Sequence, residues 1–312
     1  MIKAKRPSPT ESPLLFEIDP QPLTETLTAW GGVSLVVQAF RSLGLPASIE
    51  RLLHLKQRNR GYDEATMVES FVVLNALGGE CLEDFTHLRE DGGLKEMLGH
   101  EIPSPEAARQ FLYQFHAEEK IEEAKQRRAA KQIAFIPEEN DGLAGLGEVN
   151  RALVQELGKR CPEQGVATVD QDATIIESRK GASLAYLRRR ARLSAHAGGV
   201  GGDGYAVLVD QFRDGNVPAM MEPLPVAQRA FAALPPTVQS YYFRGDSACH
   251  ESSLISWLRD EQRADGPQGF IGFAISARMS DALHQGHPAS PGIGLGSLWE
   301  AAHPRDTGVR RD

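Results

Sequence analysis

The hydrophobic repeat of this chain changes once, near residue 165, and that change limits what it can fold into. Before it, apolar residues recur at helical spacing. After it, they fall in short runs rich in Val, Ile, Tyr and Phe, the mark of strands. In 63-DEATMVESFVVLNALGG-79, Asp63 suits an N-cap. Met67, Phe71, Leu74 and Leu77 make a stripe, and Gly78–Gly79 make a stop. In 104-SPEAARQFLYQFH-116, Ser104 caps, Pro105 takes the first helical position, and Ala108, Phe111, Leu112 and Phe115 form one face. Residues 117–132 are nearly all charged or small and read as a solvated helix. Leu146, Val149, Leu153 and Leu157 form another stripe, closed by Gly158 and Pro162. Beyond 165, strands are expected at 166–176, 205–216, 238–248 and 269–277, with helices near 224–233 and 250–262. Strands alternating with helices imply an α/β sheet. The expected order is an extended arm (1–25), an all-α domain (26–162), an α/β domain (163–282) and a tail (283–312).

Within the first strand, 166-VATVDQDATIIESRKG-181 puts Asp170 and Asp172 one residue apart. Residues i and i+2 of a strand share a face, so both acids point the same way. Carboxylates in an apolar strand are costly unless a cation, a basic partner or a hydrogen-bond network compensates them. A third acid, Asp246, lies in 243-FRGDSACH-250 at the end of a later strand. Sites in open α/β sheets form at the carboxyl ends of strands. If the two strands are neighbours, Asp172 and Asp246 meet there, and paired carboxylates suit magnesium. The competing reading is structural. One of Asp170 and Asp172 caps a turn or pairs with an arginine such as Arg179 or Arg244, and Asp246 is a helix N-cap.

Other features exclude more than they suggest. Ser247 follows Asp246, with His250 three residues on, but there is no G-x-S-x-G elbow. The glycine-rich 198-GGVGGDG-204 lacks both phosphate-loop signatures. The run 188-RRRAR-192, with Arg179 and Lys180 before it, could contact phosphates or be a solvated charge run. The three cysteines lie far apart with no C-x-x-C pair, which fits a reducing, cytoplasmic setting and suggests no zinc site. No apolar run is long enough to span a membrane. The net charge of -8 leaves nucleic-acid binding to local patches.

Taken in order, 72-VVLNALGGECLEDFTHLRED-91, 103-PSPEAARQFLYQF-115, 167-ATVDQDATIIESRK-180, 212-FRDGNVPA-219 and 243-FRGDSACHESSLISWL-258 resemble bacterial insertion-sequence transposases of the DDE type, group 1. The resemblance covers about residues 25–280. It implies a ribonuclease-H-like mixed sheet behind a helical, DNA-binding N-terminal domain, DNA strand cleavage and transfer with two Mg²⁺ or Mn²⁺ ions, DNA as partner, and self-association. It maps the first catalytic Asp onto Asp172, with Asp170 in reserve, and the second onto Asp246. The family's third carboxylate, a Glu on a later helix, has no match here. Glu300 and Asp306 are late acids outside any convincing helix. The chain departs from the family after Tyr186, where LRRRARLSAHAGGVGGDG is unlike a strand, and again after about Ala282. Both stretches look like codon runs in a shifted frame. The expectation is a truncated, frame-damaged transposase, or else an inactive remnant that still binds DNA.

Overall fold

The structure, a computed structural model, describes residues 25–56, 61–129, 134–177, 185–186, 189–198 and 206–277. The expected arm before residue 25, the tail 283–312, Arg179, Lys180, Glu300, Asp306 and the glycine run 199–204 lie outside them. Two compact units divide the chain, one reaching Arg160 and the other running from Cys161 and including Ala134–Ile136.

The first unit is helical: α1 (Val33–Ser42), α2 (Leu45–Leu52), α3 (Glu64–Ala76), α4 (Phe85–Glu90), α5 (Gly92–Leu98), α6 (Pro105–Tyr113), α7 (Glu118–Ala129) and α8 (Asp141–Arg160). Helix α3 starts where the Asp63 carboxylate accepts the Thr66 N–H at 2.6 Å. It stops at Leu77 and a left-handed Gly78 (φ 80°). Helix α6 is capped by Ser104, whose hydroxyl accepts the Ala107 N–H at 3.1 Å. Phe71, Phe85 and Phe111 form the aromatic centre of the core, with the Phe71 and Phe85 rings edge to face at 5.4 Å. Two stripes are narrower than expected. Leu112 faces solvent on α6, and on α8 Leu146 and Leu157 are exposed while Val149 and Val154 are buried. Helix α8 also runs through the buried Gly158 to Arg160 and ends just before Pro162. Where α8 crosses α2, a side chain at Gly145 would sit 2.6 Å from the Leu52 carbonyl oxygen, so only glycine allows that approach.

The second unit is mixed α/β. Its elements are β1 (Val166–Glu177), β2 (Ala185–Tyr186), β3 (Arg189–Gly198), β4 (Val207–Asp214), α9 (Pro223–Ala233), β5 (Ser240–Gly245), α10 (Ser252–Arg259) and β6 (Ile271–Ile275). The sheet is open, in the order β4-β3-β1-β5-β6, with the short β2 paired to the start of β3. Strands β1, β5 and β6 run parallel, and β3 and β4 extend the sheet antiparallel. Helix α9 packs on β1, β3 and β4, and α10 packs on β6 and α9. Phe231 of α9 is the hinge-pin of this core, within 6.4 Å of the Phe243 ring, 6.2 Å of Tyr241 and 5.6 Å of Trp257. The buried Arg263 donates to the carbonyls of Trp257, Leu258 and Gly269, tying the end of α10 to the approach to β6.

The expectation that the segment after Tyr186 is unlike a strand is corrected. The backbone of 189–198 forms β3, antiparallel to β1 in register from Asp170↔Gly198 to Glu177↔Ala191. A ladder needs only backbone N–H and C=O groups, and strand preference follows sheet context more than composition. The edge of β1 supplies that context here.

Candidate functional site

Alternation along β1 sorts its residues into two sets. Ala167, Val169 and Gln171 are buried, and the Gln171 side-chain amide donates to the Pro223 carbonyl at the start of α9. Thr168, Asp170 and Asp172 therefore lie on the opposite face of the sheet. On β5, Phe243 is buried against α9, so Tyr242 and Arg244 share the face of the acids. The parallel register opposes Asp170 to Arg244 and Gln171 to Gly245. One step further along each segment come Asp172, midway along β1, and Asp246, just past the end of β5.

Each acid has a defined local partner. Asp170 takes a fork from Arg244, Nε to Oδ1 at 2.5 Å and Nη2 to Oδ2 at 2.6 Å. Among the described residues, Arg244 is the arginine that pairs with Asp170. Asp172 is exposed, and its Oδ1 accepts the Ala173 N–H at 2.8 Å. Asp246 is exposed too and caps the short 3-10 turn Ser247–Cys249, its Oδ1 accepting the Ala248 N–H at 2.8 Å. The capping role and the site role therefore fall on the same residue.

Between the two segments lies Cys249. It is buried, and its Sγ is 3.7 Å from the Gln171 carbonyl oxygen, the residue before Asp172. Burial pushes its thiol up to about 12, with the charges of Asp246 and then Asp172 adding to the effect. Both carboxylates thus stand within the field of one sulfur atom. A Cβ on Gly245 would lie 2.7 Å from that sulfur, so glycine lets the turn carrying Asp246 fold down onto β1.

The register also runs the other way. Asp172 opposes His196 on β3, and His196 opposes Asp210 on β4, so Asp210 is exposed on the same face two strands away. That is on the order of 10 Å by strand spacing. Among the described residues, no three His, Cys, Asp or Glu side chains stand close enough to hold a metal ion between them. Asp172 and Asp246 still fit a hard divalent cation, because such a cation is commonly held by one or two carboxylates, several waters and substrate phosphates. Ser247 opens the turn and the exposed His250 follows it. Glu251 caps α10, accepting from the Ser253 side chain and from the Ser253 and Leu254 N–H groups, which holds its carboxyl down at about 2.

Sequence reasoning missed Cys249 and Asp210. The signal for the first was available in Gly245, a small residue where a strand gives way to a turn. The alternation in 207-VLVDQFRD-214 could have marked Asp210. Among the described residues no helix is long and apolar enough to cross a membrane. No protein-family model, curated protein or solved structure matches the chain.

Proposed function

We propose that the second unit is a phosphodiester-cleaving domain of ribonuclease-H-like type, and that the chain is an insertion-sequence transposase of the DDE group. One observation carries the reading: the parallel β1/β5 pairing runs up to Gln171↔Gly245, so the exposed Asp172 and Asp246 are the next residue on each segment, and the thiol of Cys249 feels both charges. The central position of β1 and the mixed sheet support the fold assignment.

Asp172 and Asp246 would hold Mg²⁺ or Mn²⁺. When bound, such ions neutralise charge on a phosphodiester and activate water. The two carboxylates supply fixed oxygen ligands on a rigid pair of strands, which is what positions attacking and leaving groups in line. Water would attack the phosphodiester at an element end, breaking its P–O3′ bond to leave a 3′-hydroxyl and a 5′-phosphate; that hydroxyl would then attack a target phosphodiester, and the target's own 3′-hydroxyl would leave. The helical first unit would bind the element ends. The cytoplasm is the setting this reading requires.

A second reading, a DNA-binding remnant without activity, has its own support, since among the described residues no three His, Cys, Asp or Glu side chains gather to hold a metal ion. Nicking of element-end DNA in Mn²⁺ by the whole chain and by Asp246→Ala separates the two. Loss of nicking in the variant, with DNA binding kept, supports the enzyme. A wild-type chain that binds but never nicks supports the remnant.

A further inference from the structure

In the link between α5 and α6, His100 has an acceptor at each ring nitrogen. Its Nε2 lies 3.0 Å from the Glu69 carboxylate, and its Nδ1 lies 3.0 Å from the Glu101 carbonyl oxygen. A neutral imidazole carries one N–H and can donate to only one of the two, whereas an imidazolium donates to both. The geometry therefore suits the charged ring alone. The charges felt around it are Arg41 of α1, Glu69 and Asp63 of α3, and Lys95 of α5, which pairs with Glu101 at 3.5 Å. His100 lines a cleft of about 830 Å³, on which α2, the residues after it and the start of α3 also place Glu50, His54, Lys56 and Glu64. The link has a second tie to the same carboxylate, since Arg41 Nη2 donates both to Glu69 and to the Leu98 carbonyl, each at 2.6 Å.

We propose that His100 is a proton-operated latch on Gly99–Glu101 at the side of this cleft, closed when both ring nitrogens carry protons and released when one proton leaves. The Nε2 proton is the one that stays, because a lone pair turned toward the Glu69 carboxylate would be repelled more than one turned toward a carbonyl. The bond to Glu101 breaks, and its carbonyl turns away from the ring. Both ends of the segment remain tied. Arg41 still holds Leu98, and Ile102 is buried, its carbonyl accepting from the Tyr62 hydroxyl at 3.3 Å. The movement is confined to the residues between, so the cleft changes shape with pH while the helices keep their places. The latch belongs to the helical unit and does not depend on the phosphodiester reading.

The test uses the full chain. Nitrogen NMR of its histidine rings, with His100 assigned from its backbone, should show two ring N–H groups at about pH 6 and the Nε2–H form alone at about pH 9. Hydrogen exchange over residues 98–102, corrected for the intrinsic rate at each pH, should show protection falling about 10-fold across that range, the loss of one charge-assisted hydrogen bond. In His100→Gln the protection should be equal at the two pH values. In His54→Gln, which removes the other histidine on the cleft, the fall should remain. A neutral His100 ring with its proton on Nδ1 overturns the proposal, and that result needs no variant. So does wild-type protection that stays level, a fall that persists in His100→Gln, or one that disappears in His54→Gln.

Discussion

A buried acid in the helical unit shows what single residues contribute. Glu69 of α3 is 4% exposed, yet it is charged, because Arg41 donates to it from Nε and Nη2 and His100 Nε2 lies 3.0 Å from its Oε1. Burial pushes its carboxyl up, but the His100 and Arg41 hydrogen bonds outweigh that and hold it at about 2, against an ordinary 4.5. His100 is raised above its ordinary 6.5 by the same bond, against the effect of burial, with the Glu101 carbonyl at its other ring nitrogen helping. Arg41 and Asp63 are the other charges felt by the ring. A depressed carboxyl stabilises above 4.5 and loses that contribution as pH falls toward 2. A raised imidazole stabilises below 6.5 and loses its contribution as pH rises through its folded value. The melting temperature of this unit should therefore plateau between about 4.5 and 6.5 and fall on both sides. In His100→Gln the alkaline fall should vanish, and a persisting fall would assign it elsewhere. Glu69→Gln strands two cations and should cost about 2 kcal/mol, less than the several expected of a fully buried pair, because Arg41 is 44% exposed. Chemical denaturation checks that value. None of this was legible in 63-DEATMVESFVVLNALGG-79, where the cap at Asp63 and the apolar stripe stood out. The partners of Glu69 come from 28 and 31 residues away, and spacing along a sequence says nothing about them.

At the scale of elements, the strand β1, the strand β5 and the turn after it make the site together. Sequence alternation located β1 and β5 and put Asp170 and Asp172 on one face, but register is a pairing between segments about 70 residues apart. Pairing also decided β3, where a composition poor in strand signals gave the wrong expectation. Asp246 both caps the Ser247–Cys249 turn and offers a carboxylate, and two variants separate the roles. Asparagine is as good a cap as aspartate, so Asp246→Asn should melt within about 0.5 kcal/mol of wild type while losing Mn²⁺ binding and nicking. Asp246→Ala should lose both and melt lower by about 1 kcal/mol. Equal melting of the two variants would remove the cap from the account, and Mn²⁺ binding by Asp246→Asn would remove the carboxylate. Gly245→Ala tests the contact behind the turn. Its methyl would press 2.7 Å from Cys249 Sγ, so the turn must lift off β1. Stability and Mn²⁺ affinity should fall together, since Cys249 holds Asp246 against the segment carrying Asp172.

For the whole molecule, the two units carry two different chemistries: a buried Glu69–Arg41–His100 group in the helices and a carboxylate pair on the sheet. The composition change near residue 165 made this division legible, because helical and strand periods cannot share one element. The division gives a test that no single site could. A ligand that binds only the folded state stabilises by RT ln(1 + [L]/Kd), about 2.7 kcal/mol at a hundredfold excess over Kd. Calorimetry of the intact chain should show Mn²⁺ raising the transition of the sheet unit while leaving that of the helical unit in place. Changing pH from 6 to 9 should lower the helical transition through His100. In Asp246→Asn the Mn²⁺ shift should disappear and the pH shift remain; in His100→Gln the reverse. If Mn²⁺ moved both transitions equally in the wild type, the ion would be acting on the chain at large and not at Asp172 and Asp246. If it moved neither, the two carboxylates would be structural, with Asp246 serving the turn alone.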